Sequence, residues 1–358
     1  MNFESERKLI AIVGPTASGK TAVGVKLAKE FNGEIVSADS RQVFRGLDIG
    51  TGKDLAEYGG IKYHMIDICD PEEDFNLFKY LELARAAIED IFLRGKVPIV
   101  VGGTGLYVQG LIEGFELEKS ETPNPKPETN SKISNQVVIS TPQLCLRVEK
   151  SSNKRSLDFA RDDKEEGLDD KHERDELEKY PIEQLQNILQ ELDIEAYEKL
   201  ADRQNPHRLI RAIERAESGD IVEKKKPDFE VLQIGLEWPR EELNKRIDER
   251  VDDRFEQGML EEVIGLLRAG ANPDWLLRLG LEYRIITDFL ISNDKFLIPK
   301  SQLQNIKNSK EFAEMKELLK LRIHQYAKRQ MTWFKRFPEI VWESDYEKIN
   351  QLVKNYLN

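Results

Sequence analysis

Residues Gly14 to Thr21 have the types and spacing that suit the binding of a phosphate group. Four residues separate Gly14 from Gly19, which Lys20 and Thr21 follow directly. Glycines let backbone N–H groups turn toward phosphate oxygens, a lysine adds positive charge, and a threonine hydroxyl can bind Mg²⁺. We therefore predict a phosphate-binding loop, with Thr21 as its metal ligand, formed by Gly14, Pro15, Thr16, Ala17, Ser18, Gly19, Lys20 and Thr21.

Two aspartates downstream of the loop follow apolar stretches and could complete a site. Asp39 comes after EIVSA, and Asp67 comes after YHMI. A carboxylate beside bound phosphate can hold Mg²⁺ or act as a general base. An aspartate at the end of a strand is also a common cap of a turn. The residues alone leave these interpretations of Asp39 open.

The elements around these residues indicate an α/β fold. Predicted helices at 21–33 and 75–95 alternate with predicted buried strands at 8–14, 34–40, 62–68 and 96–103, and a further strand is predicted at 231–238. Alternation without hairpin signals favours a parallel sheet flanked by helices, like that of P-loop NTPases. Sites in such sheets lie at the carboxyl ends of strands, where the loop, Asp39 and the GGTG of 102–105 should meet.

The chain is predicted to have a catalytic core and a mainly helical insertion. The core covers 1–115 and 206–345, the latter contributing a helical C-terminal part, and 346–358 form a tail. The insertion covers 116–205. Within it, 119–179 are polar and charged and are predicted to be largely disordered, apart from a short strand pair at 137–148, whereas 180–205 have a helical pattern.

Composition excludes several classes of protein. The net charge of −12 argues against general affinity for nucleic acids, although a local basic surface remains possible in such a chain. No apolar run approaches the ~20 residues that span a membrane, and the N-terminus does not resemble a signal peptide. Two distant cysteines and four scattered histidines provide neither a disulfide framework nor a zinc site. We expect a cytoplasmic monomer.

Several motifs resemble those of the tRNA dimethylallyltransferase family, also called tRNA isopentenyltransferases. In chain order they are GPTASGKT, SADSRQVFRGLDIGTGK, HMIDICDP, GKVPIVVGGTGLY, NPHRLIRAIE, LNKRIDERVDDRFEQGMLEEV and AKRQMTWFKR. The resemblance covers about 8–115 and 195–345. The chain lacks a C-terminal zinc-finger pattern and so is similar to the bacterial type. The family's GYRE-like stretch appears here as GLEYR at 280–284.

The resemblance implies a prenyl transfer rather than a phosphoryl transfer. The loop would hold the diphosphate of dimethylallyl diphosphate, and the five-carbon group would pass to the N6 amine of the adenine beside the tRNA anticodon. It implies Asp39 as the base, Thr16 at the reaction centre and Arg250 at the diphosphate, with Mg²⁺ as cofactor. Arg246 lies four residues before Arg250, on the same face of a predicted helix, and is expected nearby.

The resemblance also implies a surface for the anticodon arm of tRNA. Six Lys or Arg residues and no acidic residue lie between Leu318 and Phe337, with aromatic residues among them. Such a basic stretch suits the phosphate backbone of a nucleic acid. The predicted tRNA contacts are Asp39, Ser40, Arg41, Gln42, Gly105, Pro206, His207, Arg208, Lys328, Arg329 and Gln330.

Three other functions fit part of the sequence. A small-molecule kinase with a P-loop would use Lys20 and Thr21 but would leave the SRQ, PHR and KRQMTWF motifs unexplained. Prenyl transfer to free AMP is a close variant of the tRNA reaction. An RNA-binding protein without activity would not need Lys20, Thr21 and Asp39 together.

Overall fold

A computed structural model describes residues 7–116, 174–200, 202–218, 223–292 and 299–358. The strand pair predicted at 137–148 lies outside the described residues. So do residues 119–173 of the segment 119–179, which was predicted to be largely disordered. No helix in the described ranges is long and apolar enough to cross a membrane.

The structure confirms the parallel sheet. Its strands and those of a small ladder are β1 (Lys8–Val13), β2 (Gly33–Ser37), β3 (Tyr63–His64), β4 (Val97–Gly102), β5 (Phe115–Glu116), β6 (Glu223–Lys224), β7 (Glu230–Gly235) and β8 (Val341–Trp342). Six of them form one sheet in the order β3-β2-β4-β1-β7-β8, and every pairing in it is parallel. β5 and β6 pair antiparallel.

The helices largely follow the predicted pattern. They are α1 (Lys20–Glu30), α2 (Leu77–Leu93), α3 (Gly105–Ile112), α4 (Arg174–Leu177), α5 (Ile182–Leu192), α6 (Ile194–Lys199), α7 (Pro206–Ser218), α8 (Arg240–Gln257), α9 (Met259–Arg268), α10 (Pro273–Leu279), α11 (Leu281–Ser292), α12 (Leu303–Lys307), α13 (Lys310–Phe334) and α14 (Tyr346–Leu357). Short 3₁₀ helices occur at Leu55–Tyr58 and Lys300–Gln302.

The third strand is much shorter than predicted. A strand over 62–68 was expected, but β3 has only two residues. Met65 and Asp67 have φ angles of 67° and 55°, and this left-handed backbone cannot continue a strand. The same bend turns the Asp67 side chain toward Lys53, whose buried ammonium it binds.

Two apolar clusters of described residues stabilise the unit that contains the sheet. One joins the sheet to α1 and α14, with Ile10, Ile12 and Ile99 among its buried members. The other packs α8, α9, α11 and α13 around residues such as Leu319 and Tyr283. α14 buries Ile349 and Val353 in the first cluster, so 346–358 belong to the core rather than forming a separate tail.

The structure places the domain boundaries differently from the prediction. One compact unit comprises 1–116 and 223–358, and the other comprises 117–222. α7 was assigned to the core, yet Leu209 and Ile213 on its apolar face pack with Leu185 and Leu189 of α5. α4 adds the buried Leu177, so the end of the polar segment is helical. Within the range 180–205 that was predicted to be helical, α5 and α6 cover Ile182–Leu192 and Ile194–Lys199.

Candidate active site

The phosphate-binding loop connects β1 to α1, as the sequence predicted. Gly14 has a φ of 144°, and a Cβ there would lie 2.6 Å from the carbonyl oxygen of Leu236, so only glycine fits. α1 begins at Lys20, and no side chain caps it. The unpaired N–H groups of its first turn, with the positive end of the helix dipole, form a ready site for an anion.

Side chains from distant parts of the chain hold the loop in place. Gln330 accepts a hydrogen bond from the Thr16 N–H at 2.9 Å and donates one to the Gly103 carbonyl oxygen, also at 2.9 Å. Trp238 Nε1 donates to the Ser18 carbonyl oxygen at 3.0 Å. The loop therefore has a fixed shape before any ligand binds.

Three arginines on one face of α8 point toward the loop and the segment after β2. Arg246 Nε donates to the Ala17 carbonyl oxygen at 2.9 Å, with its guanidinium 4.5 Å from the centre of the Trp238 ring. Arg250 Nη1 donates to Thr16 Oγ1 at 3.3 Å, and Arg254 Nη1 donates to the Gly50 carbonyl oxygen at 3.3 Å.

The neighbouring face of α8 explains this orientation. Leu243, Ile247, Val251 and Phe255 recur every four residues and are buried in the helical cluster. Their burial fixes the rotation of the helix. Arg246, Arg250 and Arg254 directly precede Ile247, Val251 and Phe255, so the arginines recur every four residues as well. The helix ends at Gly258, which has a φ of 108°.

Desolvation dominates the electrostatics of the loop. It lowers the pKa of Lys20 to about 7; Arg250 also lowers it, and Asp39 opposes the shift. Desolvation likewise lowers the pKa of Arg250 to about 10, with a further contribution from Arg254. Cations crowded together out of water are strongly stabilised by a bound anion.

Asp39 has the geometry of a turn cap and also lies in the cavity of the loop. Its Oδ1 accepts hydrogen bonds from the backbone N–H groups of Arg41 at 2.9 Å and Gln42 at 3.4 Å, which is the geometry of a turn cap. No described residue donates a hydrogen bond to Oδ2, and Asp39 lines the same cavity as Lys20 and Thr21. One oxygen thus holds the turn, and the other is available for chemistry.

Asp67 has a structural role instead. Its carboxylate binds the Lys53 ammonium, which is buried and also donates to the Phe44 carbonyl oxygen at 2.7 Å and to Asp48 Oδ1 at 2.6 Å. It does not line the cavity of the loop. Of the two aspartates considered, Asp39 is therefore the one placed for catalysis or metal binding.

A cavity of about 450 Å³ brings together most of the predicted site. The predicted residues that line it are Thr16, Ala17, Gly19, Lys20, Thr21, Asp39, Ser40, Arg41, Gln42, Arg246, Arg250 and Gln330. Gly14, Pro15 and Ser18 are buried and form the frame of the loop. A hydrogen bond of 3.2 Å from the Ser40 N–H to Thr104 Oγ1 joins the ends of β2 and β4.

The remaining predicted tRNA contacts lie outside this cavity. Gly105 begins α3, and a Cβ there would be 2.2 Å from Trp333, so its lack of a side chain serves packing. Lys328 and Arg329 are exposed on α13. Gln330, by contrast, lines the cavity, and both ends of its amide bind the backbone. Pro206, His207 and Arg208 are exposed on α7, in the second unit.

The basic stretch of α13 is less positive than its sequence suggests. Lys320 pairs with Asp252 at 3.0 Å, and Lys335 pairs with Glu237 at 3.0 Å. Their charges are balanced by residues distant in sequence. Arg322, Lys328 and Arg329 are exposed on this helix and carry no such ion pair within the described ranges.

Sequence reasoning missed several residues of the cavity. Arg254 continues the four-residue spacing of Arg246 and Arg250, and that spacing could have revealed it. Glu282, from the GLEYR stretch, is buried and pairs with Arg254 at 3.5 Å and with Arg41 at 3.2 Å. No local pattern predicts this network, because its members come from three separate elements.

Fold and site together define a protein with a P-loop on a parallel α/β sheet. A family model described as IPP transferase matches 42–155 and 149–337, and one described as isopentenyl transferase matches 7–60. The chain belongs to the IPP transferase family. The resemblance of the motifs to this family is therefore confirmed.

Curated relatives match the chain over nearly its whole length. A tRNA dimethylallyltransferase 2 of Shewanella sediminis is 39% identical over 331 residues, which cover 92% of this chain and 89% of the relative. A tRNA dimethylallyltransferase 2 of Treponema denticola is 36% identical over 361 residues, which cover 99% of this chain and 98% of the relative.

Solved structures show the same fold. The full-length tRNA isopentenylpyrophosphate transferase of Bacillus halodurans has a TM-score of 0.61 at 30% identity and covers 98% of this chain and 97% of its own. A eukaryotic dimethylallyltransferase described as acting on tRNA has a TM-score of 0.64 at 26% identity. The match covers 94% of this chain and 74% of that chain.

Proposed function

We propose that this chain transfers the dimethylallyl group of dimethylallyl diphosphate to the N6 amine of the adenine next to the anticodon of tRNA, releasing diphosphate. The observation that carries this proposal is the single cavity around Asp39, Thr16, Lys20 and Arg250 in a member of the IPP transferase family. The chain is an enzyme, and tRNA is its substrate class.

The residues of the cavity suit a displacement at an allylic carbon. The amine nitrogen forms a bond to C1 of the prenyl group while the bond from C1 to the diphosphate oxygen breaks. The electron pair of that bond leaves with the diphosphate, where Lys20, Arg246, Arg250 and the N–H groups of α1 stabilise the added charge. Asp39 Oδ2 takes the proton that the amine loses.

Mg²⁺ is the proposed cofactor. Mg²⁺ binds oxygen ligands, usually keeping several waters and using one or two protein groups together with substrate phosphates. Thr21 lines the cavity beside the loop and supplies such an oxygen, and the substrate diphosphate would supply others, so the residues present fit the ion. No cluster of three or more His, Cys, Asp or Glu that could hold a metal occurs among the described residues. Bound Mg²⁺ would add to the neutralisation of the leaving diphosphate.

The proposed contacts with the anticodon arm use both units of the chain. Ser40, Arg41 and Gln42 follow the proposed base and would hold the adenine, which must leave its stack to react. Lys328 and Arg329, with the exposed start of α7, would bind the tRNA backbone. We propose that the enzyme acts as a monomer in the cytoplasm.

Incubation with labelled dimethylallyl diphosphate, Mg²⁺ and bulk tRNA tests the function. Nucleoside analysis should find the label on N6 of adenosine from the tRNA. Parallel reactions with AMP, and with labelled ATP in place of the prenyl donor, should give no product. Label on AMP but not on tRNA, or transfer of a phosphoryl group from ATP, would show that one of the alternative functions is correct.

A further inference from the structure

Two arginines of α8 converge on one point in the cavity. A Cβ on Gly52 would lie 1.7 Å from Nη2 of Arg254 and 2.2 Å from Nη2 of Arg250. Because Gly52 has no side chain, the two guanidinium groups can lie against its backbone at the border of the cavity. Like charges so close together repel each other unless a negative charge lies between them.

Arg254 has an unused donor at this point. Its side chain is 7% exposed. Nη1 donates to the Gly50 carbonyl oxygen, but Nη2 has no hydrogen-bond partner among the described residues. A buried donor of a charged group without a partner is costly to the folded protein. Both features, the convergence and the unpaired donor, point to an anion as the missing partner.

Glu282 fixes the orientation of Arg254. Its carboxylate is 9% exposed and lies between two arginines, with Oε1 at 3.5 Å from Arg254 Nη1 and Oε2 at 3.2 Å from Arg41 Nη1. With Nη1 held by Glu282 and Gly50, Nη2 lies beside Gly52 and Arg250, which line the cavity. Glu282 also links the arginine of α8 to Arg41, which follows Asp39.

We propose that Arg254 is an additional residue that binds the leaving diphosphate, and that Glu282 is the residue that positions it. This inference rests on the proposed function. Arg254 shares the diphosphate with Arg250, adding a donor on the side away from the loop. Because negative charge grows on the diphosphate as its bond to C1 breaks, the contribution of Arg254 is larger in the transition state than in the bound donor.

Binding of inorganic pyrophosphate with Mg²⁺ to the full chain, measured by calorimetry without tRNA, tests the assignment. Arg254→Met should weaken this binding roughly 10- to 100-fold, because it removes a charge-assisted contact. Arg254→Lys should fall between wild type and Arg254→Met. Lys245→Met removes a charge from an exposed position on the same helix and should bind pyrophosphate as wild type does.

Thermal unfolding separates an anion-binding role from a structural one. Ligand-free Arg254→Met should melt at a lower temperature than wild type, because Glu282 and the Gly50 carbonyl oxygen lose a partner, and pyrophosphate should raise the melting temperature of the variant less than that of wild type. A lower melting temperature together with unchanged pyrophosphate affinity would mean that Arg254 only supports the fold. Unchanged pyrophosphate affinity with weaker binding of tRNA would assign it to the nucleic acid. Either result would overturn the proposal.

A double-mutant cycle tests the role of Glu282. Glu282→Gln should weaken pyrophosphate binding a few-fold, and its combination with Arg254→Met should be no weaker than Arg254→Met alone, since Glu282 acts through Arg254. Additive losses would contradict the positioning role.

In prenyl transfer, Arg254→Met should lower kcat more than it raises KM for the donor. Wild-type protein that binds pyrophosphate in this way but transfers no prenyl group would refute the proposed function while leaving the anion site in place.

Discussion

At the level of single residues, the two carboxylate oxygens of Asp39 have different surroundings, which suits the proposed base. Oδ1 is occupied by two backbone N–H groups of the turn that follows β2. This fixes the carboxylate so that Oδ2 points away from those bonds. A base that is held in this way loses little freedom when the substrate binds, which favours the rate of proton transfer.

Replacing Asp39 by Asn separates a base from a metal ligand. The amide oxygen can still accept the hydrogen bonds of the turn, but it accepts no proton. The single-turnover rate should fall by roughly 10²- to 10⁴-fold while the affinity for tRNA stays close to that of wild type. The rate should be measured across a Mg²⁺ series. Recovery of the rate at high Mg²⁺ would show that Asp39 binds the metal rather than the proton.

Lys20 should make diphosphate binding depend on pH. Its pKa is lowered to about 7 in the ligand-free protein, and a bound anion favours the charged form. Above pH 7 binding must therefore take up a proton, and affinity for pyrophosphate should fall by up to about tenfold per pH unit. Calorimetry between pH 7 and 9 in buffers of different ionisation enthalpy measures this uptake.

Lys20→Met is the control for this pH effect. The titration of pyrophosphate itself is common to both proteins, so only the difference between their slopes reports on Lys20. Equal slopes would contradict the assignment. In the ligand-free protein Lys20 also makes stability depend on pH. The unfolded chain keeps the Lys20 proton up to the ordinary pKa of 10.5, whereas the folded chain loses it above about pH 7. The contribution of Lys20 to the free energy of unfolding should therefore rise between about pH 7 and 10.5.

At the scale of elements, helices that are distant in sequence hold the phosphate-binding loop. α8 contacts it through Arg246 and Arg250, and α13 contacts it through Gln330. Both helices are anchored in the helical cluster, which connects the shape of the loop to the packing of the C-terminal part. The loop is thus rigid because of tertiary contacts, not only because of its own sequence.

Replacing Gln330 by Leu tests this connection. The Thr16 N–H and the Gly103 carbonyl oxygen would lose their partner in a buried place, so the free energy of unfolding should fall by about 1–3 kcal/mol. Affinity for pyrophosphate should fall as well. Chemical denaturation and calorimetry measure the two effects. Gln325→Leu makes the same change at an exposed position of α13 and should leave both quantities unaltered.

At the scale of the whole molecule, the second unit enters and leaves the core at one place. Phe115 pairs with Lys224 and Glu116 pairs with Glu223 in the antiparallel ladder of β5 and β6. The two ends of the insertion are therefore opposite each other across one pair of strands. A two-residue turn is enough to connect strands that are paired in this register.

Replacement of 117–222 by Asn-Gly should give a folded core. Asn-Gly favours the type I′ turn that closes a two-residue hairpin, and the two apolar clusters described above contain no residue of the deleted range. The shortened chain should unfold cooperatively and bind pyrophosphate like wild type, but tRNA should bind more weakly. Loss of cooperative unfolding would show that the core depends on the second unit, and unchanged tRNA affinity would contradict the tRNA contacts proposed for α7.

Local sequence patterns were sufficient to predict the phosphate-binding loop, the strands β1, β2 and β4, and Asp39 as a candidate site residue. These features are local: the glycine spacing, the apolar runs that become β1, β2 and β4, and an aspartate at a strand end are visible in a few adjacent residues. Hydrophobic runs and glycine positions depend on backbone sterics and burial, which short-range sequence encodes directly. The family resemblance added functional roles to these residues.

Only the tertiary structure decided which of the other polar residues meet. It assigned Asp67 to Lys53, brought Gln330 to the loop and joined Arg41, Glu282 and Arg254 in one network. It also moved α7 to the second unit, because the apolar face of that helix packs on α5. Such contacts link positions far apart in the chain. They follow from how helices and strands pack, which no local pattern of residues specifies.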